Sequence, residues 1–159
     1  LGLPHNRRTR LRFSVNARQA ARYEGGTAPL GERLRALGAA AWAGYPVGLT
    51  IAPILAFAGW REAYGALIAD AARELAGVTD LDLTAELITH RFTPGSKAVL
   101  EGWYPGSDLP MDEAARSRKL TKFGGAKYVY PKDLMAEMRG SLTALLARDL
   151  PAARVLYWT

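Results

Sequence analysis

The feature that most constrains the fold is an alternation of strand-like and helix-like segments. Residues 47–55 (VGLTIAPIL) are almost continuously apolar, which is typical of a strand buried on both faces of a parallel sheet. Residues 9–15 and 81–88 alternate apolar and polar side chains, as half-buried strands do. Apolar residues at helical spacing fill the two intervals, 27–44 and 60–77. This order predicts parallel strands joined by right-handed crossovers.

The pattern changes after the third predicted strand. Thr93 and Pro94 open a short helix that runs to Trp103. Residues 105–130 lack a regular period and contain a Gly-Gly pair, which predicts a loop with a hairpin. A helix over 131–150 and a short strand over 154–158 follow. The sequence therefore predicts an α/β fold, either an open sheet or a segment of a (β/α) barrel, with a β-hairpin and a terminal helix.

Charge and residue usage narrow the function classes. The 159 residues carry a formal net charge of +6, which favours an anionic partner such as nucleic acid. The chain has no cysteine and two histidines, so its own residues form no disulfide, iron-sulfur cluster or multi-histidine metal site. No apolar run approaches the roughly 20 residues that span a bilayer. We expect a soluble, cytoplasmic protein without a membrane partner.

Polar side chains follow the predicted strands, at the edge where parallel sheets bind ligands. Ser14, Asn16, Glu86 and His90 offer a hydroxyl, an amide, a carboxylate and an imidazole, and Ala52 leaves room for a flat ring. The alternative is structural: Ser14 and Asn16 fix the next turn, and His90 is a hydrogen-bonded core residue. Hydrolase, phosphate-loop and dinucleotide motifs are missing, since G-x-S-x-G, G-x-x-x-x-G-K-[ST] and G-x-G-x-x-G do not occur.

Basic residues cluster in two runs without acidic residues. The run over 7–22 contains six arginines and is interpreted as solvated charge. The run over 116–132 mixes basic and aromatic residues, including Lys119, Lys122, Lys127 and Tyr128. Basic side chains neutralise phosphates and rings stack beside bases, so we predict that this run contacts nucleic acid. One alternative is a solvated charged loop. Another makes Tyr128 and Tyr130 ordinary strand residues that pack on the final helix.

Five long and distinctive segments occur in order over nearly the whole chain. They are RTRLRFSVN (8–16), AGYPVGLTIAPI (43–54), GWREAY (59–64), ELITHRFTPGSK (86–97) and KYVYPKDLM (127–135). Taken together, they resemble the spore photoproduct lyase family. The resemblance implies a radical S-adenosylmethionine enzyme that repairs the thymine dimer 5-thyminyl-5,6-dihydrothymine in double-stranded DNA by radical cleavage of the carbon-carbon cross-link.

The resemblance also implies a division of the chain. Residues 1–104 would be the C-terminal half of a radical S-adenosylmethionine TIM-like partial (β/α) barrel, and 105–159 an extension with the basic hairpin, a helix and the final strand. The family's C-x-x-x-C-x-x-C loop for the 4Fe-4S cluster is not in this chain. We therefore expect the cluster ligands and catalytic residues to lie in a missing N-terminal barrel half, and this chain alone to be inactive.

The resemblance assigns roles to individual residues. Ser14 and Asn16 would bind the ribose and amino-acid part of S-adenosylmethionine, Ala52 would lie against its adenine, and His90 would be a nearby pocket residue. Lys127 and Tyr128 would belong to the hairpin that enters lesion-containing DNA.

Two other functions fit the same sequence. One is a family relative that acts on a different substrate, since the family's lesion-specific catalytic residues lie outside this chain. The other is a nucleic-acid-binding module that has lost the chemistry. An upstream cysteine motif would distinguish an enzyme from a binding module.

Overall fold

The computed structural model describes residues 1–120 and 124–159. Within them it contains six strands, four α-helices and a short 3-10 helix at Arg18–Tyr23. The strands are β1 (Leu11–Val15), β2 (Val47–Ile54), β3 (Leu83–Thr89), β4 (Ser117–Leu120), β5 (Ala126–Val129) and β6 (Ala153–Trp158). The helices are α1 (Leu30–Trp42), α2 (Trp60–Leu75), α3 (Pro94–Trp103) and α4 (Lys132–Asp149).

The main sheet has four parallel strands in the order β1-β2-β3-β6. Its register places Val15 beside Ile51 and Ile51 beside Leu87. β4 and β5 form a separate antiparallel hairpin. The prediction of an α/β fold with a parallel sheet is confirmed. The hairpin predicted within residues 105–130 is formed by β4 and β5, although the sequence SRKL of β4 has no apolar alternation to indicate its bounds.

Helices α1, α2 and α4 pack with the sheet around one hydrophobic core. Its fully buried members include Leu37 of α1, Ile68 of α2 and Leu142 of α4, packed with Ile51 and Leu87 of the sheet. Apolar residues at helical spacing form these faces because positions three and four apart lie on one side of a helix. Because the strands are parallel, their carboxyl ends lie at the same edge of the sheet.

Polar residues of the sheet pair across strands. Arg12 of β1 lies 3.3 Å from Glu86 of β3, and the Thr50 hydroxyl of β2 donates to the same carboxylate at 3.3 Å. Before β3, Asp82 accepts from Arg10 at 2.7 Å and from Arg154 at 3.0 Å. Arg10 holds the pKa of the Asp82 carboxyl below its ordinary value. These pairs compensate two of the six arginines of the first basic run, Arg10 and Arg12.

The predicted division at residue 104 stays a prediction. The structure adds that both parts share one sheet and one core. β6 pairs with β3, and α4 packs against α2 and β6. Among the described residues, no helix is both long and apolar enough to cross a membrane.

The close approach of α1 and α2 depends on Gly38. A Cβ at this position would lie 2.8 Å from the Glu74 carbonyl oxygen, closer than packed atoms come. We expect Gly38→Ala to lower the free energy of unfolding by roughly 1–3 kcal/mol, because the helices must separate. Gly140→Ala in α4 is the matched control: no atom lies within 4 Å of its Cβ. Its helix propensity should add roughly 0.5–1 kcal/mol. Urea unfolding of both variants measures the difference, and equal stabilisation by both would contradict the close approach.

Candidate functional site

A cavity of about 1040 Å³ opens at the carboxyl ends of β1 and β2. The strand ends contribute Ser14 and Ala52, and the rim comes from the 3-10 helix and from the segment after α3, including Tyr23, Tyr104 and Asp108. The Ser14 hydroxyl has no hydrogen-bond partner among the residues the structure describes, so it is available to a ligand. Two of the predicted cofactor residues, Ser14 and Ala52, therefore lie together on one cavity wall.

Ion pairs fix the walls of this cavity. Arg33 of α1 lies 2.6 Å from Glu24 and donates to the Ser14 carbonyl oxygen at 3.1 Å. Arg22 of the 3-10 helix lies 3.1 Å from Asp108, joining two sides of the rim. The first pair is largely buried, so it holds the end of β1 more firmly than the exposed rim pair can. The cavity is thus a mixed polar and apolar space of ligand size.

Asn16 is buried and does not line the cavity. Its Nδ2 donates to the Pro53 carbonyl oxygen at 2.9 Å, and its Oδ1 accepts from the Tyr64 hydroxyl at 3.0 Å and from the Ala17 amide at 2.9 Å. The Tyr64 hydroxyl in turn accepts from the Leu55 amide at 2.8 Å. This network ties the ends of β1 and β2 to α2. The predicted cofactor contact of Asn16 stays a prediction, and the network supports its structural role.

His90 is also buried, at 6% exposure, beside the end of β3. Its Nδ1 lies 3.2 Å from Nη2 of Arg116, whose Nη1 donates to the His90 carbonyl oxygen at 3.0 Å. Burial, and then the Arg116 charge, lower the pKa of the His90 imidazole to about 4. His90 lies outside the cavity wall, next to the base of the hairpin.

The hairpin places its basic residues opposite one another. Lys119 of β4 pairs with Lys127 of β5, and neither lies in an ion pair within the described part of the chain. Lys119 is exposed and Lys127 is half-buried. Lys122, also predicted to contact DNA, lies outside the described residues. The two lysines are free to approach phosphates.

Tyr128 joins the hairpin to the segment after β3. Its ring stacks on Phe92, with centroids 5.3 Å apart, and its amide donates to the Phe92 carbonyl oxygen at 2.7 Å. This stack gives the Tyr128 ring a partner ahead of α3, and the alternative that the tyrosines pack on the final helix stays a prediction for this ring. A hydrogen bond with Glu113 raises the pKa of the Tyr128 hydroxyl.

Sequence reasoning did not single out the residues that connect these parts. Arg116, Tyr64 and Tyr130 each bridge elements far apart in sequence. Arg116 and Tyr130 belong to the second basic run, and Tyr64 belongs to the apolar stripe of the predicted second helix, but neither pattern indicates their partners. Within residues 1–120 and 124–159, no group of three or more His, Asp or Glu side chains is placed to hold a metal ion. The sequence has no cysteine, so it offers no thiolate ligand for an iron-sulfur cluster.

Known proteins match this chain along its full length. A family model described as spore photoproduct lyase matches residues 1–159. The spore photoproduct lyase of Geobacillus sp. (strain Y412MC61) is 42% identical over 160 aligned residues, covering 100% of this chain and 47% of the relative. That of Bacillus subtilis (strain 168) is 39% identical, with the same coverage.

Solved structures agree with the sequence matches. A mutant spore photoproduct lyase with bound AdoMet and dinucleoside spore photoproduct is similar with a TM-score of 0.92 and 39% identity, over 98% of this chain and 46% of that chain. This chain spans slightly less than half the length of these relatives and corresponds to their carboxyl-terminal half. The chain belongs to the spore photoproduct lyase family.

Proposed function

We propose that this chain is the carboxyl-terminal part of a radical S-adenosylmethionine lyase that repairs 5-thyminyl-5,6-dihydrothymine in double-stranded DNA. The observation that carries the proposal is the combination of a strand-end cavity with a hairpin that bears Lys119 and Lys127 and whose base contacts His90, directly after β3. Family membership adds support, because similar solved structures hold AdoMet or dinucleoside spore photoproduct. A cytoplasmic location, where bacterial DNA lies, is part of the proposal.

The cavity fits S-adenosylmethionine in size and lining. Its volume of about 1040 Å³ is at the upper end of small-ligand sites. In our proposal the Ser14 hydroxyl binds a polar part of the cofactor and Ala52 lies against its adenine. Asn16 and His90 act from behind the wall, through the strand ends. S-adenosylmethionine would supply the radical chemistry that opens the carbon-carbon cross-link.

The 4Fe-4S cluster does not fit the residues of this chain, which include no cysteine. In the proposal its ligands come from an N-terminal barrel half. β1 supports this arrangement, because within the described residues it pairs with β2 alone and leaves its other edge open. An open parallel edge strand exposes backbone donors and acceptors that another strand can satisfy. The same pairing would complete the partial TIM-like barrel.

A repair assay tests the proposal. The full-length protein that contains this chain is reconstituted with iron, sulfide and S-adenosylmethionine and given a duplex with one spore photoproduct. Restoration of two thymines supports the proposal. Cofactor cleavage without repair would instead indicate a relative with a different substrate. Duplex binding with no cofactor cleavage would indicate a binding module.

The hairpin makes a prediction that this chain alone can test. Lys127→Ala should flatten the slope of log affinity against log salt by about 0.9 on duplex DNA, because one phosphate contact is lost. Tyr128→Ala removes a ring without charge, so it should weaken binding by roughly 1–3 kcal/mol at an unchanged slope. Fluorescence anisotropy at several salt concentrations measures both. Arg139→Ala, an exposed charge on α4, is the control and should leave the slope unchanged. An equal slope change in Arg139→Ala would argue against a hairpin contact.

A further inference from the structure

Arg116 occupies the junction between the hairpin and the strand ends. It directly precedes β4, and its guanidinium donates to the His90 carbonyl oxygen at 3.0 Å and to the Pro110 carbonyl oxygen at 2.8 Å. The same group lies 3.7 Å from the centroid of the Tyr130 ring, on the residue that directly follows β5. One side chain therefore contacts both ends of the hairpin base and the residue after β3.

The Arg116 contact fixes the protonation of His90. A guanidinium has only donors, so Nδ1 of His90, 3.2 Å from Nη2, must be the acceptor. A neutral imidazole with an unprotonated Nδ1 carries its proton on Nε2. His90 is thus held as a neutral ring whose Nε2–H is a donor, and Nε2 has no hydrogen-bond partner among the residues described.

Tyr130 extends the same contact to β2. Its hydroxyl accepts from the Ala56 amide at 3.0 Å, two residues after the end of β2. The His90 amide donates to the Ile54 carbonyl oxygen at 2.9 Å, which joins the ends of β2 and β3. Arg116 therefore touches β3 directly and β2 through Tyr130.

The environment of Arg116 is costly for a residue that only fills space. The guanidinium is half-buried, and its recorded partners in the described part of the chain are carbonyl oxygens, an imidazole nitrogen and aromatic faces, with no carboxylate. Burial lowers the pKa of the group. An apolar side chain would fill the same volume without desolvating a charge. What the guanidinium provides, and an apolar side chain would not, is a set of directed hydrogen-bond donors.

We propose that Arg116 is a positioning residue that holds His90 as a neutral Nε2–H donor and fixes the DNA-binding hairpin relative to the strand ends. The functional half of this proposal rests on the proposed function. A lesion held by the hairpin would then keep a constant position relative to the cofactor cavity. The structural half, that Arg116 holds His90 neutral and fixes the hairpin, concerns this chain without any ligand.

The first test measures His90 in this chain by nitrogen-15 NMR. His5 is the other histidine, and His5→Gln assigns the signals. The expected result is one neutral tautomer, protonated on Nε2, that remains unprotonated on Nδ1 well below pH 6.5. A proton on Nδ1 at neutral pH would overturn the proposal. The measurement uses the unmodified His90, so it determines the tautomer even where substitutions prevent folding.

The second test removes the guanidinium. Arg116→Met should release His90 into a mixture of tautomers and speed exchange of the Tyr128 amide at least tenfold. Arg116→Lys, which retains the charge but cannot reach all three acceptors, should give a smaller change in the same direction. Arg118→Met is the matched control, because it removes an exposed arginine two residues away on β4. Equal behaviour of the Arg116→Met and Arg118→Met variants would overturn the positioning role of Arg116.

The third test uses the full-length protein. Arg116→Lys should increase the number of S-adenosylmethionine molecules cleaved per lesion repaired, because the lesion is no longer held in register with the cavity. An unchanged ratio would overturn the positioning role even where NMR shows the inferred tautomer. A full-length protein that cleaves no cofactor at all would instead refute the proposed function, while the NMR tests still decide the role of Arg116 in the fold.

Discussion

Replacing Tyr64 with alanine is expected to lower the free energy of unfolding by about 3–5 kcal/mol, the range for a large buried aromatic side chain. The ring is fully buried between α2 and the sheet. Truncation also removes the hydroxyl shared by Asn16 and the Leu55 amide. The substitution removes the core contacts of the ring and its hydrogen bonds in the strand-end network together. Urea or thermal unfolding should therefore show a large loss of stability.

Tyr64→Phe separates the network from the core. The ring stays, while the Leu55 amide loses its acceptor and Asn16 loses one donor, so we expect a loss of about 1–3 kcal/mol. Tyr45→Phe is the matched control. That ring is also buried, at 8% exposure, but its hydroxyl has no hydrogen bond within the described residues. If both variants lost the same stability, the Tyr64 hydroxyl would not be holding the strand ends.

The same substitution tests how the cavity is built. Asn16 lies next to Val15 at the end of β1, one residue from the cavity-lining Ser14. Pro53, which accepts from Asn16, follows the cavity-lining Ala52. The network therefore holds both cavity residues from behind. Asn16, in this position behind the cavity wall, can affect cofactor binding without touching the cofactor.

Local signals in the sequence predicted most of the main elements. α3 begins at Pro94 as predicted, because Thr93 and Ser96 form a capping box that depends only on neighbouring residues. β2 begins at Val47 as predicted, because a continuous apolar run is itself the sign of a buried parallel strand. Elements whose stability is encoded in adjacent residues are readable from sequence.

The connections between elements were not readable in this way. Asn16 was predicted to face a ligand, yet its partners are Pro53 and Tyr64, 37 and 48 residues away. Strand alternation assigns a residue to a face of the sheet, but Asn16 lies just beyond the end of β1, where its side chain is buried at 2% exposure. The partnership of Arg116 and His90 likewise depends on how the hairpin packs, which no periodicity encodes.

Lowering the pH from about 7 to about 4 is expected to remove up to about 3 kcal/mol of stability through His90 alone. The pKa of His90 is about 4 in the folded chain, against an ordinary value of 6.5. Between these values the unfolded chain binds the proton and the folded chain does not. Protonation therefore favours unfolding, so the stabilisation is complete above the unfolded pKa and declines as pH falls toward the folded one.

Unfolding of the His90→Gln variant tests this assignment, because glutamine can still accept from Arg116 but does not titrate. The variant should lose little further stability between about pH 6.5 and about pH 4, where the unmodified chain declines by at most about 1.4 kcal/mol per pH unit. Asp82, whose pKa is lowered by Arg10, contributes its own loss only at more acidic pH, near and below its ordinary value of 3.8. His5→Gln is the control and should retain the decline. If His90→Gln retained it as well, another group would be the one that titrates, and a neutral His90 would not contribute to the fold.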